Sequence, residues 1–158
     1  MKKIIFEKRG RLATLFINRP DVYNALDLDT VKEMEEAERL VEDDRDIKVL
    51  LVRGKGKSFC TGADLKYFLS IQRDPAAVER FITQINRAFD GLENLRVPVI
   101  AVAHGHCLAG GFELLQACDL FHRRVRISLA GDYFLNVFPS EAGPTEVIEN
   151  DSLNFILD

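Results

Sequence analysis

Pro98-Val-Ile-Ala-Val-Ala103 runs without a break into His104-Gly-His-Cys-Leu-Ala-Gly-Gly-Phe-Glu113. The first six residues form a short, β-branched apolar run, the pattern of a strand buried on both faces. Gly110-Gly111 then permits a turn that opens a helix around residues 110–118. Strand, glycine turn and helix make half of a βαβ unit. The same grammar appears upstream. Residues 47–53, Ile-Lys-Val-Leu-Leu-Val-Arg, read as a buried strand ended by Gly54. A glycine- and lysine-rich loop follows, then Ser58-Phe-Cys-Thr-Gly-Ala-Asp-Leu65. Residues 12–18 form an earlier strand, closed by Arg19-Pro20. Between the strands lie two helical patterns. Over 29–43, Val31, Met34, Ala37 and Val41 recur at three- and four-residue steps, with Thr30 and Glu33 fitting a capping box. Over 75–95, Asp74 suits the N-cap and Pro75 the first turn, and Val78, Phe81, Ile82, Ile85, Phe89 and Leu92 form one stripe. Strands alternating with helices predict an α/β architecture with a mainly parallel sheet.

The chain has 158 residues, one domain's worth, of which 47% are hydrophobic and 29% charged. A chain of this length buries roughly 70% of the surface it exposes when unfolded, so a core is available and disorder is excluded. Its formal net charge of -4 argues against a nucleic-acid binder. Cys60, Cys107 and Cys118 give neither an even disulfide framework nor zinc spacing and read as reduced thiols of a cytoplasmic chain, with no metal. The N-terminal apolar run is too short for a signal peptide, and none reaches membrane-spanning length. After Leu120 the pattern weakens. Phe121-His-Arg-Arg-Val-Arg126 is a basic cluster, 127–138 offers a strand or two, and 139–152 reads as a loop or tail. This separates a core over 1–120 from a divergent segment over 121–158.

Gly56-Lys57-Ser58 resembles the end of a phosphate loop, but that motif needs a glycine at position 51, where Leu51 stands. Ser58–Leu65 lies at the C-terminal end of a predicted parallel strand, where ligands collect in such sheets. There Gly62 allows a sharp turn that frees backbone N–H groups, while the plainer role of Asp64 is to cap a helix. The Gly110-Gly111 turn exposes unpaired N–H donors that can hold an oxyanion. One turn later, Glu113 can act as a general acid/base or simply complement the helix dipole. His104 and His106 share a strand face but lack a third metal ligand, so they read as residues flanking a pocket.

The two glycine-rich turns, each after a buried strand, resemble those of the crotonase superfamily, the enoyl-CoA hydratase/isomerase family. Asn18-Arg19-Pro20 with Asn24-Ala-Leu-Asp27, Gly54 through Leu65, and Pro98 through Leu120 carry the resemblance, over about residues 12 to 120. The resemblance implies a spiral of ββα repeats. It implies that the N–H groups of Ala63 and Gly110 form an oxyanion hole for the thioester carbonyl of an acyl-CoA. It places Tyr23, Ala25, Leu26, Asp64 and Leu65 near the adenine and pantetheine, with Gly62 and His106 flanking the same pocket. Glu113 matches one of two hydratase glutamates. No cofactor beyond the CoA of the substrate is implied, and the partner expected is a second copy, as a trimer or hexamer. Enoyl-CoA hydratase is the leading expectation, with a single-carboxylate isomerase or a catalytically weak or inactive acyl-CoA-binding paralogue as alternatives. The departures are equally legible. The second glutamate of the family stands in a Pro-Glu pair, yet Tyr133 and Phe134 occupy that region, with Asp132 and Glu141 as the acids nearby. The helices that build the trimer in the family are expected to be lacking.

Overall fold

The computed structural model of the chain describes residues 1–127, with side chains through Leu120. Five strands form one sheet in the order β1-β2-β3-β4-β5: β1 Ile4–Arg9, β2 Leu12–Ile17, β3 Val49–Gly54, β4 Val99–Cys107 and β5 Leu120–Ile127. The first pair is an antiparallel hairpin turned at Gly10, and the other three pairs are parallel. Helices fill the crossovers: α1 Leu28–Asp43, then α2 Leu65–Ile71 and α3 Pro75–Glu93, then α4 Gly110–Gln116. A single turn of 3-10 helix, Pro20–Val22, precedes α1. This is the expected α/β architecture with a mainly parallel sheet.

The apolar runs behave as their patterns require. Val49, Leu50, Leu51 and Val52 are all buried, because β3 is covered on both faces. Val31, Met34, Ala37 and Val41 turn the stripe of α1 inward with no exposure, and α1 rests on β1, β2 and α3. Phe81, Phe89 and Leu92 bury the stripe of α3, whereas Ile82 stays exposed. Asp74 caps α3 through the N–H groups of Ala76 and Ala77, with Pro75 in the first turn.

Three sequence expectations are corrected. The helix cap at α1 is Asp27, whose carboxylate accepts from the N–H and hydroxyl of Thr30. Glu33 does not complete a capping box. It accepts from the N–H groups of Lys2, Lys3 and Ile4, tying β1 to α1. The strand expected to end at Ala103 extends through Cys107 and takes in His104 and His106. The basic cluster after Leu120 is itself a strand, pairing with β4 from Ile100↔Leu120 to Cys107↔Ile127. The expectations for a loop or tail over 139–152, and for a strand beyond Ile127, fall outside the described residues. Among those residues no helix is long and apolar enough to cross a membrane.

Candidate active site

β3 and β4 run parallel and deliver the chain to its two glycine turns at one edge of the sheet. Cys60 and Cys107 pair as a parallel bridge, so the loops begin side by side. Leu108 N–H donates to the Cys60 carbonyl at 3.1 Å, and Phe59 N–H is shared by the carbonyls of His104 and His106 at 2.8 and 3.0 Å.

A second parallel bridge joins Leu26 to Ala63. Leu26 N–H donates to the Gly62 carbonyl at 2.7 Å, and Asp64 N–H donates to the Leu26 carbonyl at 2.8 Å. Successive amides of an extended segment alternate sides, so the Ala63 amide faces away from Leu26. Among the described residues no acceptor meets the N–H of Ala63 or of Gly110. Gly62 has φ +86, and a Cβ there would lie 2.7 Å from Gly110 N, so only glycine lets the two turns approach. An atom at the Cβ position of Gly110 would stand 3.7 Å from Ala63 N and 3.8 Å from Glu113 Oε2. Two unpaired N–H groups and one carboxylate therefore crowd a single point. Glu113 is exposed there, one turn into α4.

The turn that aims Gly110 has an unusual residue at its corner. Gly111 N–H donates to the Leu108 carbonyl at 2.8 Å, and Ala109 between them has φ 46 and ψ -124. Those angles belong to the first central residue of a type II′ turn, a place for glycine. The angles at this corner set the orientation of the Ala109–Gly110 peptide, and with it where the Gly110 N–H points.

Arg19 ties the early turn to the first of these loops. Its guanidinium pairs with Asp64 at 2.8 Å and Asp27 at 3.1 Å and donates to the Ala25 carbonyl. Burial works to raise the Asp64 carboxyl, but the Tyr67 N–H and the Arg19 guanidinium outweigh it and hold it below the usual carboxylate range. Asp27 is held low in the same way, with Lys3 as its main counter to burial. Asn24 is fully buried and donates through Nδ2 to the carbonyls of Lys55 and Ser58.

The residues picked out in the sequence fall into three groups. Ala63, Gly110, Glu113 and Gly62 meet at the point described. Tyr23 and His106 form a neighbouring exposed patch, their rings edge to face with centroids 5.7 Å apart, and His106 Nδ1 lies 3.0 Å from Ser58 Oγ. Leu65 is 75% exposed at the start of α2. Ala25, Leu26 and Asp64 are buried, and the Asp64 carboxylate is engaged by Arg19 and by the Tyr67 N–H it caps. Sequence reasoning assigned no role to Arg19, Asn24, Cys60 or Cys107 beyond motif membership, since partners 45 positions apart, such as Arg19 and Asp64, leave no spacing signal. Among the described residues no cluster of three or more His, Cys, Asp or Glu could hold a metal ion.

The model of the enoyl-CoA hydratase/isomerase family matches residues 7–125. A crotonyl-CoA hydratase of Syntrophomonas wolfei is 39% identical over 119 residues, covering 75% of this chain and 45% of its own length. A peroxisomal Delta(3,5)-Delta(2,4)-dienoyl-CoA isomerase of Arabidopsis thaliana is 37% identical over 116 residues, covering 67% and 42%. The crystal structure of an enoyl-CoA hydratase/carnithine racemase from Magnetospirillum magneticum superposes with a TM-score of 0.73 at 34% identity, covering 77% of this chain and 46% of that one. The chain thus spans a little under half the length of these relatives. The sheet, its two glycine turns and the matched span all fall within the same residues, and the chain belongs to the enoyl-CoA hydratase/isomerase family, with the crotonase fold.

Proposed function

We propose that the chain acts on acyl-CoA thioesters by stabilising a thioester enolate, and that its reaction is hydration of a 2-enoyl-CoA. The observation that carries this reading is the convergence of the unpaired N–H groups of Ala63 and Gly110 with the Glu113 carboxylate. The thioester oxygen sits between the two donors. Glu113 takes a proton from water as the oxygen of that water adds to C3, and the electron pair of the double bond moves onto the thioester oxygen as an enolate. The two N–H groups meet that charge as it forms, which is worth about 3 kcal/mol per donor in comparable sites. C2 then takes the proton back from Glu113, and the enolate collapses to the 3-hydroxyacyl thioester. Tyr23, Leu65 and His106 line the approach for the CoA moiety, with buried Ala25, Leu26 and Asp64 holding its loops in place beside Gly62. The enzyme needs no resident cofactor, works in the cytoplasm and assembles with copies of itself.

A second reading is favoured by one feature. Glu113 is the one carboxylate at the convergence point among the described residues, which suits an isomerase that moves a proton between two carbons. Calorimetric titration with acetoacetyl-CoA tests the shared site. Saturable binding is expected, and Ala63→Pro, checked for folding by circular dichroism, should abolish it because proline has no N–H. Glu113→Gln should keep binding and lower turnover of a 2-enoyl-CoA or 3-enoyl-CoA at least about a hundredfold. Which substrate turns over separates hydratase from isomerase. Binding without turnover leaves an acyl-CoA-binding module, and no binding by the folded chain sinks the proposal.

A further inference from the structure

Cys60 stands where the two loops of the proposed oxyanion hole touch, and two of its groups, the carbonyl and the thiol, hold them. Its carbonyl accepts from Leu108 N–H at 3.1 Å, at the start of the second loop. The same carbonyl fills the space a side chain would need at position 111, since a Cβ on Gly111 would collide with it and lie 3.1 Å from Cys60 Cβ. Its thiol sulfur accepts from Gly62 N–H at 3.4 Å, one residue before the proposed donor Ala63. Opposite it, the Cys107 thiol donates to the Gly111 carbonyl at 3.4 Å, within the first turn of α4. Both cysteines have no exposure, and their side chains are otherwise unused by the proposed chemistry. Burial pushes the Cys60 thiol up to about 12 and the Cys107 thiol up to about 11, so both stay protonated and serve as hydrogen-bonding groups rather than nucleophiles.

We infer that Cys60 is a positioning residue for the proposed oxyanion hole, its sulfur fixing the Thr61–Gly62 peptide and so the entry to the Gly62–Ala63 peptide, which the Leu26 N–H holds by its carbonyl, with Cys107 bracing the other side. The inference rests on the proposed acyl-CoA function. Without the sulfur, Gly62 N–H is left buried and unpaired, and Gly62 with φ +86 is the residue in that loop best able to relax by turning its amide. The Ala63 amide, in the next peptide and otherwise held through the Leu26 N–H on the Gly62 carbonyl, shifts with the Gly62 backbone. Cys60→Ala removes the acceptor, and Cys60→Ser restores an acceptor at a shorter reach.

The test uses the whole chain. Amide exchange by NMR is read first without ligand. In Cys60→Ala the Gly62 amide should exchange about tenfold faster than in wild type, with the core amide of Val52 unchanged, and Cys60→Ser should recover most of the protection. Titrations with acetoacetyl-CoA and with free CoA follow. Affinity for acetoacetyl-CoA should fall about fivefold or more in Cys60→Ala and recover in Cys60→Ser, while affinity for free CoA stays constant. A merely structural cysteine would lower both affinities together and gain nothing from serine, and that result overturns the inference. So does a folded Cys60→Ala that binds acetoacetyl-CoA as wild type does. Failure of the wild-type chain to bind acetoacetyl-CoA overturns the proposed function, and the positioning role with it.

Discussion

Ala109 pays a conformational penalty in the turn that aims the Gly110 N–H. A non-glycine residue at φ 46 and ψ -124 carries strain on the order of 1–3 kcal/mol, held in place by the surrounding structure. Two features hold it: the Leu108–Gly111 hydrogen bond across the turn, and the Cys60 carbonyl seated against Gly111. Glycine would remove the strain but would raise the entropy lost on folding by less than it relieves. Ala109→Gly should therefore raise the unfolding free energy by about 1 kcal/mol, measured by urea denaturation. A destabilised variant would mean that the alanine methyl makes a contact outweighing its strain. The site residues were legible in the sequence only as chemistry. Glu113 and the glycines announce themselves by type and order. The II′ corner could not be read from an alanine, which gives no sign of a positive φ, and neither could the sulfur contact to Gly62.

At the scale of elements, the contact between α1 and α3 contains an unpaired carboxylate. Glu38 is 7% exposed, its Oε1 has no hydrogen-bond partner among the described residues, and its other oxygen lies against Gly91 of α3. Burial pushes its pKa up to about 8, with Glu35 adding to the rise and Arg39 opposing it. Glu42 on α1 and Arg87 on α3 line the same depression. A folded-state pKa raised from the ordinary 4.5 means that the unfolded chain releases this proton first. The stability Glu38 permits is therefore complete below about pH 4.5 and is lost as the pH rises through 8. The expected loss between pH 5 and pH 8 is on the order of 3 kcal/mol. Unfolding free energies across that range should fall with pH in the wild type and lie flatter by about that amount in Glu38→Gln. Equal slopes in the two proteins would refute the assignment. Asp27 and Asp64, held low by their partners, act with the opposite sign and matter only as the pH drops below their ordinary range.

For the molecule as a whole, the elements with strong internal pattern were readable: β2, β3, α1, α3 and the strand-turn-helix from Val99 to Gln116. Each of these carries its own periodicity or its own apolar run. β1 and β5 do not. β1 shows buried residues only at its start, and its place is fixed by the β2 hairpin and by Glu33. β5 spells Leu-Phe-His-Arg-Arg-Val-Arg-Ile, a charged string that becomes a strand through eight paired positions on β4. Where the partner supplies the conformation, composition is silent. The pairing order has a consequence for how the protein is made. Because β1-β2-β3-β4-β5 is also the order of synthesis, each strand leaving the ribosome finds its partner already standing at an open edge. Among the described residues no strand has to be threaded between two others, and no early strand waits for a late one. The two glycine loops are brought together only when β4 docks on β3, so the candidate site forms midway through sheet assembly, before β5 closes the described edge.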